Sequence, residues 1–381
     1  MRVLHVTSSY PRWDADHVAP YLAELIAAQL AVGLEVRVLA PHAAGLERDG
    51  VVAGAPVHRF RYAPGPAEVL AYGAGLLTTA TTPVGAAALP AYLAAMTGSI
   101  ISLGRQWRPD VVHAHWWIPA GLTAAVAGRV LGAPLVITCH GSDVHLTRRP
   151  ALARAAGLVL RQAAVVAAVS ERLATDVGAL LGSGRPVDVL RMPVNMAGRS
   201  IRPVPPSPPL RLAAVGRLAS EKGFDTVISA VNRLVAQGHE VMLTIVGDGP
   251  LRRSLEALAA ASGDAVSFAG AVGKDEMWGA IDGAHALVVP SRREGLGLVA
   301  LDALARGRPV IASDVGGLPE SVEDGADGVL VPPGDVEAWV AAILRLPLPP
   351  PKAAALGRHR PEAVAAAHAS AYRRALDRRR P

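Results

Sequence analysis

Short apolar runs alternate along the chain with longer stretches in which apolar positions recur every three or four residues. The short runs predict strands at residues 3–7, 35–40, 57–62, 111–115, 135–139, 165–169 and 187–190. The periodic stretches predict helices, clearest at 18–32, 120–131 and 171–181. Runs apolar at every position, separated by amphipathic helices, are the pattern of a parallel sheet covered on both faces. The alternation stops at Arg202-Pro203-Val204-Pro205-Pro206-Ser207-Pro208-Pro209, which can be neither helix nor central strand and reads as a stiff linker. It then resumes, with strands predicted near 211–216, 240–246, 265–268, 286–290, 310–312 and 329–331. A second proline-rich break at 346–351 precedes a terminal helical pattern over 361–380. The expected organisation is a first domain over 1–200, a linker over 201–209, a second domain over 210–350 and a tail over 351–381. Two doubly wound domains of this kind are expected to face each other across a cleft, with ligands beyond the carboxyl ends of the strands.

Residues 69–104 carry no charge and are broken by Gly73, Gly75, Pro83, Gly85 and Pro90. A pair of apolar helices is expected there rather than an uninterrupted spanning helix, and a peripheral face for anionic lipid or a lipid-linked substrate is the sharper alternative. Met1 to Val6 reads as a first strand, not a secretory signal.

Composition narrows the class. Of 381 residues, 51% are hydrophobic and 18% charged, which excludes a disordered chain and a coiled coil. The net charge of +6 does not point to nucleic acid, because lysine occurs only at Lys222, Lys274 and Lys352 and the arginines are scattered. The one dense cluster is Arg373, Arg374, Arg378, Arg379 and Arg380. A phosphate-bearing substrate or anionic lipid explains the same bias. The lone Cys139 allows no internal disulfide and fits a reducing cytoplasm, the compartment expected for the chain, with peripheral contact at the inner face of the plasma membrane as the extension.

The polar clusters lie just after predicted strands. No Walker A sequence occurs, nor Gly-x-Gly-x-x-Gly after the first strand. Gly216-Arg217-Leu218-Ala219-Ser220-Glu221-Lys222-Gly223 puts a guanidinium and an ammonium at one strand end, which suits a diphosphate; a solvated turn with an Arg–Glu pair is the plain alternative. Gly247-Asp248-Gly249-Pro250-Leu251 reads as a turn with Pro250 at the first helical position. Ser291 to Asp302, with Glu294, Gly295 and Gly297, ends a strand and starts a helix near Gly297, where free N–H groups can hold phosphate. Glu294 and Asp302 would lie roughly 12 Å apart along a helix, too far to share one proton transfer but able to grip opposite ends of a ligand. Thr138-Cys139-His140-Gly141-Ser142-Asp143 offers His140 to a ligand hydroxyl, while Cys139 points to the other face of its strand. His113 and His115, beside Trp116 and Trp117, either line the same site or pack, and their spacing fits no standard zinc pattern.

In this order the clusters resemble the retaining, nucleotide-sugar-dependent glycosyltransferases of family 4, which have the GT-B fold. The likeness also takes in Val6-Thr7-Ser8-Ser9-Tyr10-Pro11, the run Pro109 to His115, and Gly316-Gly317-Leu318-Pro319-Glu320. It implies that Arg217 and Lys222 neutralise a departing diphosphate, that Glu294 and the backbone of Gly295, Leu296 and Gly297 hold sugar hydroxyls, and that the N–H groups of Leu298 and Val299 reach phosphate. Gly216, Gly247, Asp248, Gly249 and Ser291 would complete the donor site, and His140 would touch the donor sugar from the other domain. Tyr10, Asp16, His17, Trp116 and Asp143 are the implied acceptor side. The resemblance implies no metal and no cofactor; UDP or GDP sugars are the expected donors and a small or lipid-linked molecule the acceptor. Two departures stand out. Asp302 occupies a position where relatives carry Glu and bind ribose, and Asp14 to Pro20 replaces the Gly-Gly pair usual after the first strand. The tail helix with Tyr372 resembles the family's return to the first domain. A nucleotide-sugar epimerase of the same fold and an inert nucleotide-sugar binder are the rival readings.

Overall fold

Two parallel sheets organise the chain in a computed structural model that describes residues 1–381 except 15, 17, 73–75, 183, 195–200 and 379–381. Unit 1 comprises Met1–Pro193 with His359–Pro381, and unit 2 comprises Val194–Arg358.

In unit 1 the strands are β1 (Arg2–Val6), β2 (Glu35–Pro41), β3 (Asp49–Val52), β4 (Ala55–Phe60), β5 (Val111–His115), β6 (Leu135–Cys139), β7 (Val165–Ala168) and β8 (Asp188–Val189). They form one sheet in the order β3-β4-β2-β1-β5-β6-β7-β8, with β3–β4 the antiparallel pair. β5 and β6 are buried at every position, as strands covered on both faces must be. β3 was not predicted; a two-residue turn at Ala53-Gly54, both with positive φ, folds it onto β4.

The helix Pro361–Asp377 starts with proline at its first turn and belongs to unit 1. Its Ala371, Tyr372 and Ala375 pack with Val3, Val111 and Val136 of the sheet. Full burial of a Val-sized side chain is worth roughly 1.5–3 kcal/mol, so this contact ties the helix firmly into the first unit.

In unit 2 the strands are β9 (Leu210–Val215), β10 (Val241–Val246), β11 (Val266–Gly270), β12 (Ala286–Val289), β13 (Val310–Ser313) and β14 (Gly328–Val331), in the order β11-β10-β9-β12-β13-β14. All neighbours pair in parallel. The helix Phe224–Ala236 buries Val227, Ile228, Val231 and Leu234, positions spaced along one face, in a core with Leu243 and Ile245.

Three expectations need correction. The proline-rich stretch, expected as a stiff linker between the domains, lies within unit 2: buried Arg308 donates to the carbonyls of Arg202 (2.9 Å) and Pro203 (2.8 Å), which an extended chain leaves open. The tail joins unit 1 only from His359, while residues 351–358 stay with unit 2. The apolar segment is two helices of very unequal length, and Gly85 and Pro90, expected to interrupt it, do not break the longer one. It has a one-turn helix, Leu76–Thr79, then one helix, Pro83–Trp107, that runs through Pro90. Pro90 and Ala86 are both exposed, so the carbonyl that loses its helical partner faces solvent. Among the described residues this is the one helix long and apolar enough to cross a membrane, and 22% of its most apolar window is buried.

Each sheet reverses strand order once, at β1/β5 in unit 1 and at β9/β12 in unit 2. The crevice at such a reversal is the binding position of open α/β sheets.

Candidate active site

At the reversal in unit 2, the loop after β9 carries Lys222 and the loop after β12 carries Glu294. Lys222 Nζ lies 2.7 Å from Glu294 Oε2. Ser291 Oγ donates to the same oxygen at 3.2 Å, and the Gly295 N–H reaches Oε1 at 3.2 Å. Backbone contacts join the two loops: the N–H groups of Arg292 and Arg293 donate to the Glu221 carbonyl at 2.8 and 3.3 Å. Arg292 also grips Asp225 through two bonds of 2.7 and 2.6 Å. This close approach requires glycine at 223, where φ is +64° and a Cβ would stand 2.1 Å from the Pro290 carbonyl oxygen. Arg217 is exposed at the same strand end. The helix Leu298–Ala305 begins after Gly297 with no side chain capping it, so its first N–H groups are available to an anion.

At the reversal in unit 1, register brings histidines together. His5 of β1 lies opposite His113 of β5, and His115 lies opposite Thr138 of β6. His140 Nε2 meets His115 Nδ1 at 3.0 Å, and His115 Nε2 meets His5 Nδ1 at 2.9 Å. His5 Nε2 continues to Gln29 Oε1 at 2.8 Å. Gln29 Nε2 donates to the Tyr372 hydroxyl at 2.9 Å, which in turn contacts His113 Nδ1 at 2.8 Å, and His113 Nε2 contacts Thr138 Oγ1 at 2.8 Å. Loss of hydration disfavours the charged imidazolium: it lowers His5 and His140 to about 3, and drives His113 and His115 well below the usual range. His5, His113 and His115 are close enough to share a metal ion. All six of their ring nitrogens, however, already have hydrogen-bond partners, and the cluster includes no charged ligand to offset a buried dication.

These two constellations belong to units that match two named families. Residues 18–195 match the family described as "Glycosyl transferase 4-like domain" and residues 209–347 the one described as "Glycosyl transferases group 1". The chain belongs to the family-4 glycosyltransferases. It is 31% identical over 284 residues to the 2-deoxystreptamine glucosyltransferase of Streptomyces kanamyceticus, over 67% of this chain and 73% of that one. It is 30% identical over 377 residues to a glycogen synthase of Mycobacterium tuberculosis, over 93% of this chain and 87% of that one. Sucrose-phosphate synthase from Thermosynechococcus elongatus shares the fold, with a TM-score of 0.79, 22% identity and 98% of each chain covered. The two Rossmann-like units are therefore those of the GT-B fold.

In the glycosyltransferase several of the predicted acceptor residues have partners within the fold. Tyr10 is fully buried, with its hydroxyl 3.5 Å from the Val52 carbonyl oxygen. Asp16 is buried against Arg12, which donates to its carboxylate from Nε at 2.7 Å and Nη2 at 2.9 Å. Burial works against the charge of Asp16, yet these bonds hold its carboxyl below the usual range. Asp143 is also buried, and its carboxylate accepts from the N–H groups of Trp117, His140 and Gly141, each at 3.0 Å. These bonds position His140. Trp116 is half-buried, with its ring 4.7 Å from that of His140 and Nε1 donating to Ser142 Oγ at 3.1 Å. His17 lies outside the described residues.

On the donor side, Gly216, Gly247, Asp248 and Gly249 lie at the ends of β9 and β10. Pro250 precedes the helix Arg252–Ala259 instead of opening it. Leu296 and Gly297 are buried, Leu298 and Val299 form the first turn of the helix Leu298–Ala305, and Asp302 lies half-buried further along it. Sequence reading missed His5 and Gln29 altogether. A histidine inside an apolar strand and a glutamine inside an apolar helix carry no local signal of a shared network.

Proposed function

We propose that this glycosyltransferase moves a hexosyl or hexosaminyl group from a nucleoside-diphosphate sugar, linked to UDP or GDP, to an acceptor hydroxyl with retention of anomeric configuration. The observation that carries the reading is the Lys222–Glu294 pair at the unit 2 strand reversal, next to a helix start that no side chain caps. A diphosphate placed there meets Arg217, Lys222 and the N–H groups of Leu298 and Val299. Glu294, oriented by Ser291 and Gly295, then accepts from sugar hydroxyls. Asp302 takes the ribose, with one methylene less reach than Glu. In unit 1, His140 beside the Trp116 ring offers a polar contact of its own to a sugar hydroxyl.

In the reaction, the bond from the anomeric carbon to the phosphate oxygen breaks and its electron pair goes to the diphosphate, whose charge Arg217 and Lys222 offset. The acceptor oxygen bonds to the anomeric carbon on the same face, and its proton passes to the departing phosphate oxygen. Glu294 is committed to Lys222 and to hydroxyl binding, so a pair of carboxylates acting on one carbon is not required. The relatives, a glucosyltransferase acting on 2-deoxystreptamine and a glycogen synthase, support hydroxyl-rich, sugar-like acceptors.

The test is release of nucleoside diphosphate from a panel of donor sugars, with and without cyclitol and oligosaccharide acceptors. Acceptor-dependent release is the expected result. Interconversion of donor sugars without acceptor would instead show an epimerase, and binding without release an inert receptor.

A further inference from the structure

A neutral imidazole has one N–H, so a chain of imidazoles hydrogen-bonded end to end transmits the position of its protons. Unit 1 contains such a chain. At its inner end Gln29 turns its amide so that Nε2 donates to Tyr372 and Oε1 faces His5. His5 must therefore donate from Nε2 and accept at Nδ1. His115 then donates from Nε2 to His5 and accepts at Nδ1, and His140 donates from Nε2 to His115. The same rule on the other branch lets the Tyr372 hydroxyl donate to His113 Nδ1, leaving His113 Nε2–H for Thr138 Oγ1. Every contact on both branches has one donor and one acceptor.

We propose that Gln29 and Tyr372 are positioning residues that fix His140 as the Nε2–H tautomer, so that its Nδ1 presents a lone pair and accepts from a substrate hydroxyl. The main-chain N–H of His140, held by Asp143, fixes the ring's origin, and the hydrogen-bond chain fixes what the ring can offer. Reversing the Gln29 amide would reverse every bond along the chain and turn His140 Nδ1 into a donor. Reversal would also require the Tyr372 hydroxyl proton to turn from His113 to Gln29 and every imidazole on both branches to change tautomer together. The burial that keeps these imidazoles neutral supports the rule of one N–H each. Tyr372 sits on the last helix of the chain, so that helix does more than cover the sheet: its hydroxyl sets the proton order at a site residue 232 positions earlier (372 − 140).

The inference relies on the glycosyl-transfer reading only for the identity of the hydroxyl; the tautomer is measured on ligand-free protein. Long-range proton–nitrogen NMR correlation of the full chain, labelled with 15N at histidine and assigned through a His140→Gln spectrum, reads it directly. Wild-type protein is expected to show His140 in the Nε2–H form alone. Gln29→Met and Tyr372→Phe should each introduce the Nδ1–H form. With acceptor and donor present they should lower kcat/KM for the donor on the order of tenfold, chiefly through KM. A wild-type spectrum showing the Nδ1–H form, or both forms, overturns the proposal, and so does a folded Gln29→Met variant whose His140 is unchanged. If a variant fails to fold, the wild-type spectrum alone still decides.

Discussion

Lys222 and Glu294 are 72 residues apart in the chain and 2.7 Å apart in space. Their side chains keep 26% and 15% of their accessible surface, so the pair is half-buried yet still reached by water, and its contribution to folding is modest. The proposed role of the pair is to hold the donor. Removing either partner should cost activity and spare the fold: Lys222→Ala and Glu294→Ala are each expected to lower turnover on the order of 100-fold. Steady-state kinetics beside melting curves check this. Near-normal turnover in both variants would remove the pair from the mechanism.

Gly316 approaches the same acid from behind. With φ at +59°, a Cβ there would stand 1.9 Å from the Glu294 carbonyl oxygen, so Gly316→Ala must displace Glu294. A shift of about 1 Å at such a group can cost on the order of 100-fold in rate. Gly334→Ala is the matched control, because φ is +80° there but nothing lies within 4 Å of the new Cβ. Both variants should lose some stability to backbone strain, and only the first should lose catalytic efficiency. Equal efficiency in the two would contradict this account of the loop.

Much of this was legible in the residues. Runs such as Val111 to His115 and Leu135 to Cys139 matched their strands residue for residue, because strands buried on both faces are predominantly apolar, the exceptions being His113, His115 and Thr138. The Lys222 and Glu294 loops were legible because glycine and charge together at a strand end are rarely needed for packing alone. The partners of the acceptor-side residues were not. Tyr10, Asp16 and Asp143 have the chemistry of ligand contacts, and the structure buries each beside partners within the fold. The chain from His140 to Tyr372 joins residues from three strand ends and two helices, and only register and tertiary packing bring them into line. The β3–β4 hairpin was missed because Ala53 occupies a positive-φ turn position that usually signals itself with Asn or Gly.

The buried imidazoles also set a pH dependence. His5 and His368 are held at about 3 and about 4, by burial first, against roughly 6.5 when unfolded. A folded-state pKa below the unfolded one means that the unfolded chain binds more protons as pH falls, so stability is complete above about 6.5 and lost below it. At pH 5.5 each of the two should withdraw about 1.4 kcal/mol relative to neutral pH. The carboxylates held low, Asp16 and Asp225, add nothing in this window, because their stabilisation is lost only as pH falls towards and below the unfolded carboxylate pKa of about 4. Urea midpoints between pH 7.5 and 5.5 should fall steadily. A flat profile would mean that these rings are hydrated and titrate normally.

The central claim is a nucleoside-diphosphate site on unit 2, and ligand-induced thermal stabilisation tests it most directly. UDP, GDP, ADP and dTDP, each with its common sugar conjugates, are compared on the wild-type protein and on Lys222→Ala. At 100 times its dissociation constant a ligand stabilises the fold by about 2.7 kcal/mol, a shift of several degrees that is readily measured. One base should stand out, its diphosphate should stabilise more than its monophosphate, and the shift should shrink in Lys222→Ala. No response to any of the four, or an equal response in the variant, would contradict the assignment of Lys222 and Glu294 to a sugar-nucleotide site.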